Sequence, residues 1–248
     1  MSDSNPGQQP THKPRPWVDL LISIIIPSVI LMKLSDDAYL GATWALVVGL
    51  AFPLGWGLWE LVRYRKYNFI AVLGVISVGL TGGIGLLALD AKWLAIKEAA
   101  IPAIIGLAVL VSTRTRYPLV RTLLYNPAVL DVDKIHRKLA EQGTEDVFEA
   151  RLLKASYFFA GTFLFSSVMN YVLAKWIVTS PSGTTAFNEE LGQMTLVSYP
   201  MIAIPSMVMM IAIFYYLWRS IRRLTGYTLE EVLSPHVAPE PKTGDERS

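Results

Sequence analysis

The chain has 248 residues, of which 52% are hydrophobic and 17% are charged, and its formal net charge is +2. A soluble domain carries roughly 25% charged residues, so this composition excludes a soluble enzyme, a disordered chain and a disulfide-stapled secreted domain. The low net charge argues against nucleic acid as a partner, and the absence of cysteine excludes disulfides, iron–sulfur clusters and thiol catalysis.

Six stretches of the chain are long and apolar enough to cross a lipid bilayer. The bilayer is therefore the principal expected partner of the protein. A transmembrane helix needs about 20 mostly apolar residues to cover roughly 30 Å of hydrocarbon, and it satisfies its own backbone hydrogen bonds in lipid. The sequence therefore predicts an all-α polytopic membrane protein with six transmembrane helices. These spans run approximately over Val18–Leu34, Tyr39–Val62, Asn68–Leu89, Leu94–Ser112, Ala155–Val178 and Met194–Trp218.

Basic residues predict the orientation of the spans, because lysine and arginine concentrate in cytoplasmic segments. Eighteen of the 22 basic residues lie in the N-terminal tail, the second and fourth connections and the C-terminal segment. The opposite side holds only Lys33, Lys92, Lys97 and Lys175. Both termini are therefore expected in the cytoplasm.

This orientation divides the chain into five segments. Residues 1–16 form a proline-rich cytoplasmic tail that is expected to be disordered, and residues 17–112 hold the first four spans. Residues 113–154 form an amphipathic cytoplasmic connection, residues 155–218 hold the last two spans, and residues 219–248 form a cytoplasmic tail.

Helix-capping patterns divide the cytoplasmic segments further. Asp131 or Asp133 can cap a helix whose apolar side consists of Val132, Ile135 and Leu139. Thr144 can cap a second helix that continues into the fifth span. Thr228 and Glu231 have the spacing of a capping box at the start of a short helix.

Three arginines, Arg114, Arg116 and Arg121, begin the long cytoplasmic connection. They favour a segment that lies against anionic lipid headgroups. The general excess of positive charge in cytoplasmic loops explains the same residues equally well.

Glycines in the third span indicate a close helix contact. Gly79 and Gly83 are four residues apart and share a helix face, and Gly82 lies beside them. Small residues on one face let another helix backbone approach closely, so we expect these three glycines to pack against a neighbouring helix.

Prolines at Pro27, Pro102 and Pro205 interrupt three of the spans and are expected to kink them. All three follow an isoleucine, and two of them lie near the middle of the first and fourth spans. An inverted repeat would produce that placement, and such repeats are typical of transporters with broken helices.

Polar residues inside the spans are candidates for function, because charge in lipid is costly unless it is paired or hydrated. Glu98 is predicted about 7 Å inside the hydrocarbon, close to Lys97 and to Asp90 in the preceding turn. Lys97 and Glu98 point about 100° apart on a helix and are poorly placed to pair directly. The cluster is either a titratable site or a charge pair that fixes helix docking.

Two further polar residues lie in other spans. Asp19 is expected to cap the first span or to pair with a charge at its start, and Asn170 is expected to form an interhelical hydrogen bond.

The sequence predicts no catalytic set, no metal site and no cofactor. His12, His136 and His236 are far apart in sequence, and helix capping explains the pair Asp131 and Asp133 more simply than metal binding does.

The segment Thr81-Gly82-Gly83-Ile84-Gly85-Leu86-Leu87, followed by Asp90 and then Ile96-Lys97, resembles the bacterial intracellular septation protein A group. The resemblance covers the third and fourth spans. In that group a glycine pair, an acidic residue and an Ile-Lys step link two such helices. The resemblance implies a Gram-negative inner-membrane protein that serves envelope synthesis or division.

These observations together predict a non-enzymatic, multi-pass inner-membrane scaffold. Its expected partners are the lipid bilayer and other envelope or division proteins, and self-association stays open. The alternative is a proton-coupled transporter of ions or small solutes, in which Glu98 faces a hydrated cavity.

Overall fold

In the computed structural model, the described residues are 20–64, 69–115, 121, 125–126 and 130–233. All regular elements in these ranges are helical, as the all-α prediction requires. Two of them are π-helices, Leu21–Ile25 directly before α1 and Tyr199–Ala203 between α7 and α8. The others are α1 (Ile26–Lys33), α2 (Gly41–Tyr64), α3 (Phe69–Leu86), α4 (Lys92–Ser112), α5 (Val132–Glu141), α6 (Glu145–Ile177), α7 (Thr185–Ser198), α8 (Ile204–Thr225) and α9 (Leu229–Val232).

Four helical stretches are long and apolar enough to cross a membrane, namely Gly41–Trp59, Lys92–Ser112, Glu145–Ile177 and Thr185–Thr225. In their most apolar windows only 11–28% of the residues are buried inside the protein. Since most of these apolar side chains face outward, lipid is the surroundings that suits them, and the protein is membrane-embedded. Two further apolar helices, Leu21–Lys33 and Val72–Leu86, are shorter.

The chain divides into two compact units. The first comprises residues 1–94 and 175–197, and the second comprises residues 95–174 and 198–248. Each unit therefore combines two separate parts of the chain.

Helices of the first unit pack through glycines. In α2, a methyl group on Gly49 would lie 3.3 Å from the Leu31 side chain of α1. In α3, a methyl group on Gly82 would lie 3.2 Å from Leu50 of α2. In α7, a methyl group on Gly192 would lie 2.9 Å from the backbone oxygen of Ser28 in α1. These approaches are close because a hydrogen atom occupies the place of a side chain.

Of the three glycines predicted to pack against a neighbouring helix, Gly82 does so, but Gly79 and Gly83 do not among the described residues. A methyl group on either glycine would meet no packing neighbour within 4 Å among the described residues. The glycines of α3 that do have close neighbours are Gly82 and Gly85, and Gly85 lies against Leu46 and Phe187. The partner helices therefore meet a face of α3 that is rotated away from the predicted one.

Large side chains form the core of the second unit. Its members come from α4, α5, α6, α8 and α9, and also from the connection before α5. They are Val109, Tyr125, Ile135, Leu139, Phe148, Leu152, Ala155, Phe159, Ala160, Ile213, Leu217, Ile221 and Val232. Through this core, the connection, α5 and α9 pack against the N-terminal half of α6 and the C-terminal part of α8.

The capping predictions had different outcomes. The Asp131 carboxylate accepts a hydrogen bond from the Lys134 amide and caps α5, as predicted. Helix α6 starts directly after Thr144 and continues without a break to Ile177, but the Thr144 hydroxyl has no hydrogen-bond partner among the described residues. The hydroxyl therefore does not cap the helix.

The glutamate half of the predicted capping box is present at the start of α9. The Glu231 carboxylate accepts hydrogen bonds from the Thr228 amide at 2.7 Å and from its hydroxyl at 2.9 Å. Just beyond α9, a β-bridge pairs Leu130 with Leu233, and the Lys134 ammonium donates to the Glu231 carbonyl at 2.8 Å. These bonds attach α9 to α5.

Two of the three predicted proline sites have altered helix geometry. Pro27 and Pro205 each lie two residues beyond the last residue of a π-helix, because a proline cannot donate to the carbonyl four residues earlier and the preceding turn widens. Pro102 lies inside the α-helix α4. The sequence pairs Pro27 with Pro102 as a repeat, whereas the local geometry matches Pro27 with Pro205.

Candidate functional site

A line of polar residues joins α1 to α7 inside the first unit, and we call Ser28, Ser35, Thr185 and Asn188 the polar seam. The Asn188 amide donates to the Ser35 hydroxyl at 3.1 Å and to the Ala42 carbonyl at 2.7 Å. The Thr185 hydroxyl donates to the Ser35 carbonyl at 3.1 Å. Asn188 is completely buried, so these bonds lie in an apolar interior.

Helical spacing explains why these residues meet. Ser28 lies on α1 and Ser35 lies two residues beyond its end, whereas Asn188 and Gly192 are four residues apart on α7 and share one helix face. Gly192 contacts Ser28, and Asn188 contacts Ser35, so the two helices run antiparallel along the seam.

Two oxygen atoms of the polar seam lack a partner among the described residues, the Ser28 hydroxyl and the Asn188 side-chain carbonyl. An unsatisfied buried polar group costs roughly 1–3 kcal/mol. Both groups are neutral, and the seam contains no titratable residue. Its chemistry is therefore limited to hydrogen bonding of a neutral group or weak coordination through oxygen.

Lys97 and Glu98 form an ion pair in the second unit. The Lys97 ammonium lies 2.6 Å from the Glu98 carboxylate, and the two side chains are only 9% and 23% exposed. The prediction that neighbouring positions are poorly placed to pair is wrong, because the long lysine side chain folds back across the helix surface. Pro102 also leaves the Glu98 carbonyl without its usual intrahelical donor, so this turn of α4 is unusually polar.

Asp90 forms a separate ion pair in the first unit. Its carboxylate lies 3.1 Å from the Lys92 ammonium and accepts a hydrogen bond from the Lys92 amide at 2.8 Å. These bonds to Lys92 hold the pKa of Asp90 below its usual range. Asp90 thus acts as a cap at the start of α4.

Asn170 does not form the predicted interhelical hydrogen bond among the described residues. Its amide donates at 2.8 Å to the Ser166 carbonyl of the same helix. The bond between helices comes from Ser167, whose hydroxyl donates to the Ala99 carbonyl of α4 at 2.8 Å. The polar turn around Glu98 is therefore attached to α6.

The three membrane-surface arginines have different positions. Arg121 forms an ion pair with Glu149 of α6 at 3.1 Å, so its charge is partly compensated within the protein. Arg114 is exposed directly after α4. Arg116 lies outside the described residues, as do Asp19 and the predicted disordered tail.

Among the described residues, no group of three or more histidine, cysteine, aspartate or glutamate side chains is arranged to hold a metal ion. His136 in the middle of α5 lies 3.3 Å from Glu145 at the start of α6, and both side chains are exposed.

No protein-family model matches the chain, and neither curated proteins nor solved structures give a significant match.

The polar seam is the feature that sequence reasoning missed. The sixth predicted span begins at Met194, so Thr185 and Asn188 lie outside every predicted span. The available signal was the spacing of Thr185, Asn188 and Gly192, which places small and polar residues on one helix face.

Proposed function

We propose that the chain is a non-enzymatic membrane scaffold of the bacterial inner membrane, with six spans and both termini in the cytoplasm. Helices α5 and α9 form a folded cytoplasmic surface, which we call the platform. The apolar helices hold the platform at the membrane, and the platform is presented to other envelope proteins. The resemblance to the septation protein A group supports a place in envelope synthesis or division.

The distribution of basic residues supports the orientation. The long helices Gly41–Trp59, Lys92–Ser112, Glu145–Ile177 and Thr185–Thr225 supply four spans, and the shorter apolar helices Leu21–Lys33 and Val72–Leu86 supply the other two. An even number of spans brings both termini to the same side. With both termini in the cytoplasm, the side rich in lysine and arginine is cytoplasmic, as the charge rule requires.

The ion pair of Lys97 and Glu98 favours a scaffold over a proton-coupled transporter. A proton-coupled transporter needs a carboxylate that meets water during its cycle, whereas a structural charge needs a partner and shelter. Glu98 has a partner at 2.6 Å, and its side chain is 23% exposed. The neighbouring hydrogen bond from Ser167 to Ala99 attaches the same turn to α6, which suits a role in helix docking.

The platform supplies the surface for partners. Helix α5 buries Ile135 and Leu139 in the core of the second unit, and its other side carries charged residues. The Lys134 ammonium lies 4.7 Å from the centre of the Tyr227 ring and donates a hydrogen bond to the Glu231 carbonyl. These contacts fix the position of α5 relative to α9. A fixed, charged cytoplasmic surface is what a docking partner recognises.

Cysteine accessibility tests the charge pair, because the chain has no cysteine of its own. We expect the Glu98→Cys variant to react slowly with a membrane-impermeant thiol reagent added to intact cells. Lys92→Cys is the exposed control and should react rapidly from outside, and Leu94→Cys is the buried control. If Glu98→Cys reacts as fast as Lys92→Cys, the scaffold proposal is contradicted. If Lys92→Cys reacts only after cell lysis, the orientation is wrong.

In-cell crosslinking tests the partners. A benzoyl-phenylalanine placed at the exposed position Arg137 should trap a specific envelope or division protein, identified by mass spectrometry. The matched control carries the same group at Leu164, which is 64% exposed on the apolar part of α6. Identical products at both positions would contradict a cytoplasmic docking surface.

Transport of a neutral solute is the second candidate function, and the polar seam favours it. The unpartnered oxygens of Ser28 and Asn188 lie on helices that adjoin proline and a π-helix, as substrate sites in transporters often do. Purified protein in liposomes should then give solute flux that is lost in the Asn188→Ala variant. Unchanged flux in that variant would exclude the seam as the transport site.

A further inference from the structure

The second unit contains a cavity of about 330 Å³ beside the end of α8. This volume lies at the lower end of the range for ligand sites, roughly 300–1,000 Å³. Apolar and aromatic side chains line it, among them Tyr125, Phe148, Ile211, Phe214, Leu217 and Leu233. Helix α9 and the bridge at Leu130 close one side, so the cavity exists because the connection and the C-terminal segment fold onto α8.

One wall of the cavity belongs to the lipid-facing surface of α8. Ile211 is 59% exposed and Phe214 is 47% exposed, and both lie in a stretch that is apolar enough to span a membrane. A hydrocarbon chain can therefore pass from the bilayer into the cavity without entering water.

Two arginines contact side chains that line the same cavity. The Arg219 guanidinium donates a long hydrogen bond of 3.4 Å to the Tyr215 hydroxyl, and the Arg222 guanidinium lies 5.7 Å from the centre of the Trp218 ring. Tyr215 and Trp218 both line the cavity. Neither arginine forms an ion pair within the part of the chain that the structure describes, so both charges remain available to an anion.

Trp218 adds a polar group to the apolar lining. Its indole N–H is buried and has no acceptor among the described residues. A buried donor without an acceptor is costly, and a ligand oxygen would remove that cost. The site thus combines an apolar cavity, one free donor and two cations, which is the pattern that an anionic amphiphile complements.

We infer that this cavity binds one anionic phospholipid of the adjacent leaflet. An acyl chain fills the apolar volume, Arg219 and Arg222 bind the phosphate, and the Trp218 N–H donates to a lipid oxygen. The inference rests on the membrane embedding of α8 and is independent of the scaffold role.

Native mass spectrometry of the full-length protein in detergent tests the headgroup contact. The probes are phosphatidylglycerol and phosphatidylcholine with identical palmitoyl and oleoyl chains. We expect phosphatidylglycerol to bind more tightly, and Arg219→Gln or Arg222→Gln to weaken it about fivefold each, since a basic residue near a membrane surface contributes about 1 kcal/mol. Arg223→Gln is the matched control, because it removes the same charge from the same helix turn, and we expect it to change affinity less than twofold. Equal losses in all three variants would show general electrostatic attraction and overturn the site.

A second pair of variants tests the acyl chain. Ile211→Trp should fill the cavity and reduce binding of both lipids by about tenfold or more. Met207→Trp is the control, since Met207 is 58% exposed one turn earlier and does not line the cavity. Both positions are exposed, and circular dichroism will establish that the variants fold.

Three outcomes would refute the lipid site. They are unchanged lipid binding in Ile211→Trp, binding of glycerol phosphate without acyl chains as tight as that of phosphatidylglycerol, and a co-purifying peptide in place of lipid. The crosslinks expected at Arg137 do not depend on these outcomes, so failure of the lipid site and failure of the scaffold are distinguishable.

Discussion

The two units of this protein solve helix packing in different ways. In the first unit, glycines bring helix backbones together, and buried amide and hydroxyl groups bond across the contact at Asn188 and Ser35. In the second unit, aromatic and branched side chains such as Phe148, Leu217 and Ile221 fill the space and leave a cavity beside them. The comparison indicates that the contact between α1 and α7 in the first unit tolerates little added volume, whereas the second unit has room for it beside its cavity.

A single added carbon in the first unit should produce the largest effect. Gly192→Ala places a methyl group 2.9 Å from the backbone oxygen of Ser28, which has no freedom to move aside. We expect a loss of roughly 1–3 kcal/mol in the free energy of unfolding, as for other overpacked sites. The measurement is the melting temperature of the purified protein in detergent.

Gly79→Ala is the matched control for that substitution. The position lies in the same unit and has no packing neighbour within 4 Å among the described residues. Its melting temperature should stay the same or rise slightly, because alanine favours the helix over glycine. Equal losses in both variants would contradict the contact between α1 and α7.

Removal of the central amide of the polar seam should have the next largest effect. Asn188→Ala deletes donors to the Ser35 hydroxyl and the Ala42 carbonyl, and we expect a cost of roughly 1–2 kcal/mol. Asn170→Ala is the control, since Asn170 bonds only within its own helix among the described residues. A melting temperature lowered as much by Asn170→Ala would show that the seam has no special weight.

An added carbon beside the cavity should have a smaller effect of the opposite sign. Val232→Ile extends a side chain that is 1% exposed toward the free volume, and we expect a gain of up to about 0.8 kcal/mol, the value of one buried methylene. Gly106→Ala adds one carbon to the same unit at a place only 3.0 Å from the Phe163 side chain, and it should lower stability. If Val232→Ile lowers stability as well, the second unit has no spare room.

The smallest expected effect concerns pH and the start of α9. Hydrogen bonds from the Thr228 amide and hydroxyl lower the pKa of Glu231 below its usual range. The stabilisation is therefore complete above the ordinary glutamate pKa of about 4.3 and is lost as the pH falls through the lower pKa of the folded state. Amide hydrogen exchange at Thr228, corrected for the intrinsic pH dependence, should accelerate at acidic pH. In the Glu231→Gln variant that acceleration should be absent, and its persistence would argue against the carboxylate as the cause.

Local sequence signals predicted the helices and most of their ends. The Asp131 cap, the glutamate half of the box at Thr228 and Glu231, and the continuous helix from Glu145 each depend on residues within a few positions of one another. Local spacing is sufficient in these cases because the partners lie in the same turn or the next one.

Contacts between helices were harder to predict, because a helix does not reveal which of its faces a neighbour meets. The spacing of Gly79 and Gly83 suggested one face of α3, but the neighbours lie against Gly82 and Gly85. Hydropathy also excluded Asn188 from the bundle, since an isolated polar residue does not indicate the acceptors that a distant helix supplies. The pairing of Lys97 with Glu98 depends on a lysine rotamer that residue spacing does not specify.

The unbroken course of α6 has a mechanical consequence. Its 33 residues extend about 50 Å and contain no proline, so no proline interrupts the hydrogen bonding of this helix. The stretch from α7 to α8 is different, because the π-helix Tyr199–Ala203 interrupts its regular hydrogen bonding. We therefore expect α6 to resist bending along its whole length, whereas the stretch from α7 to α8 can bend at the π-helix that contains Pro200.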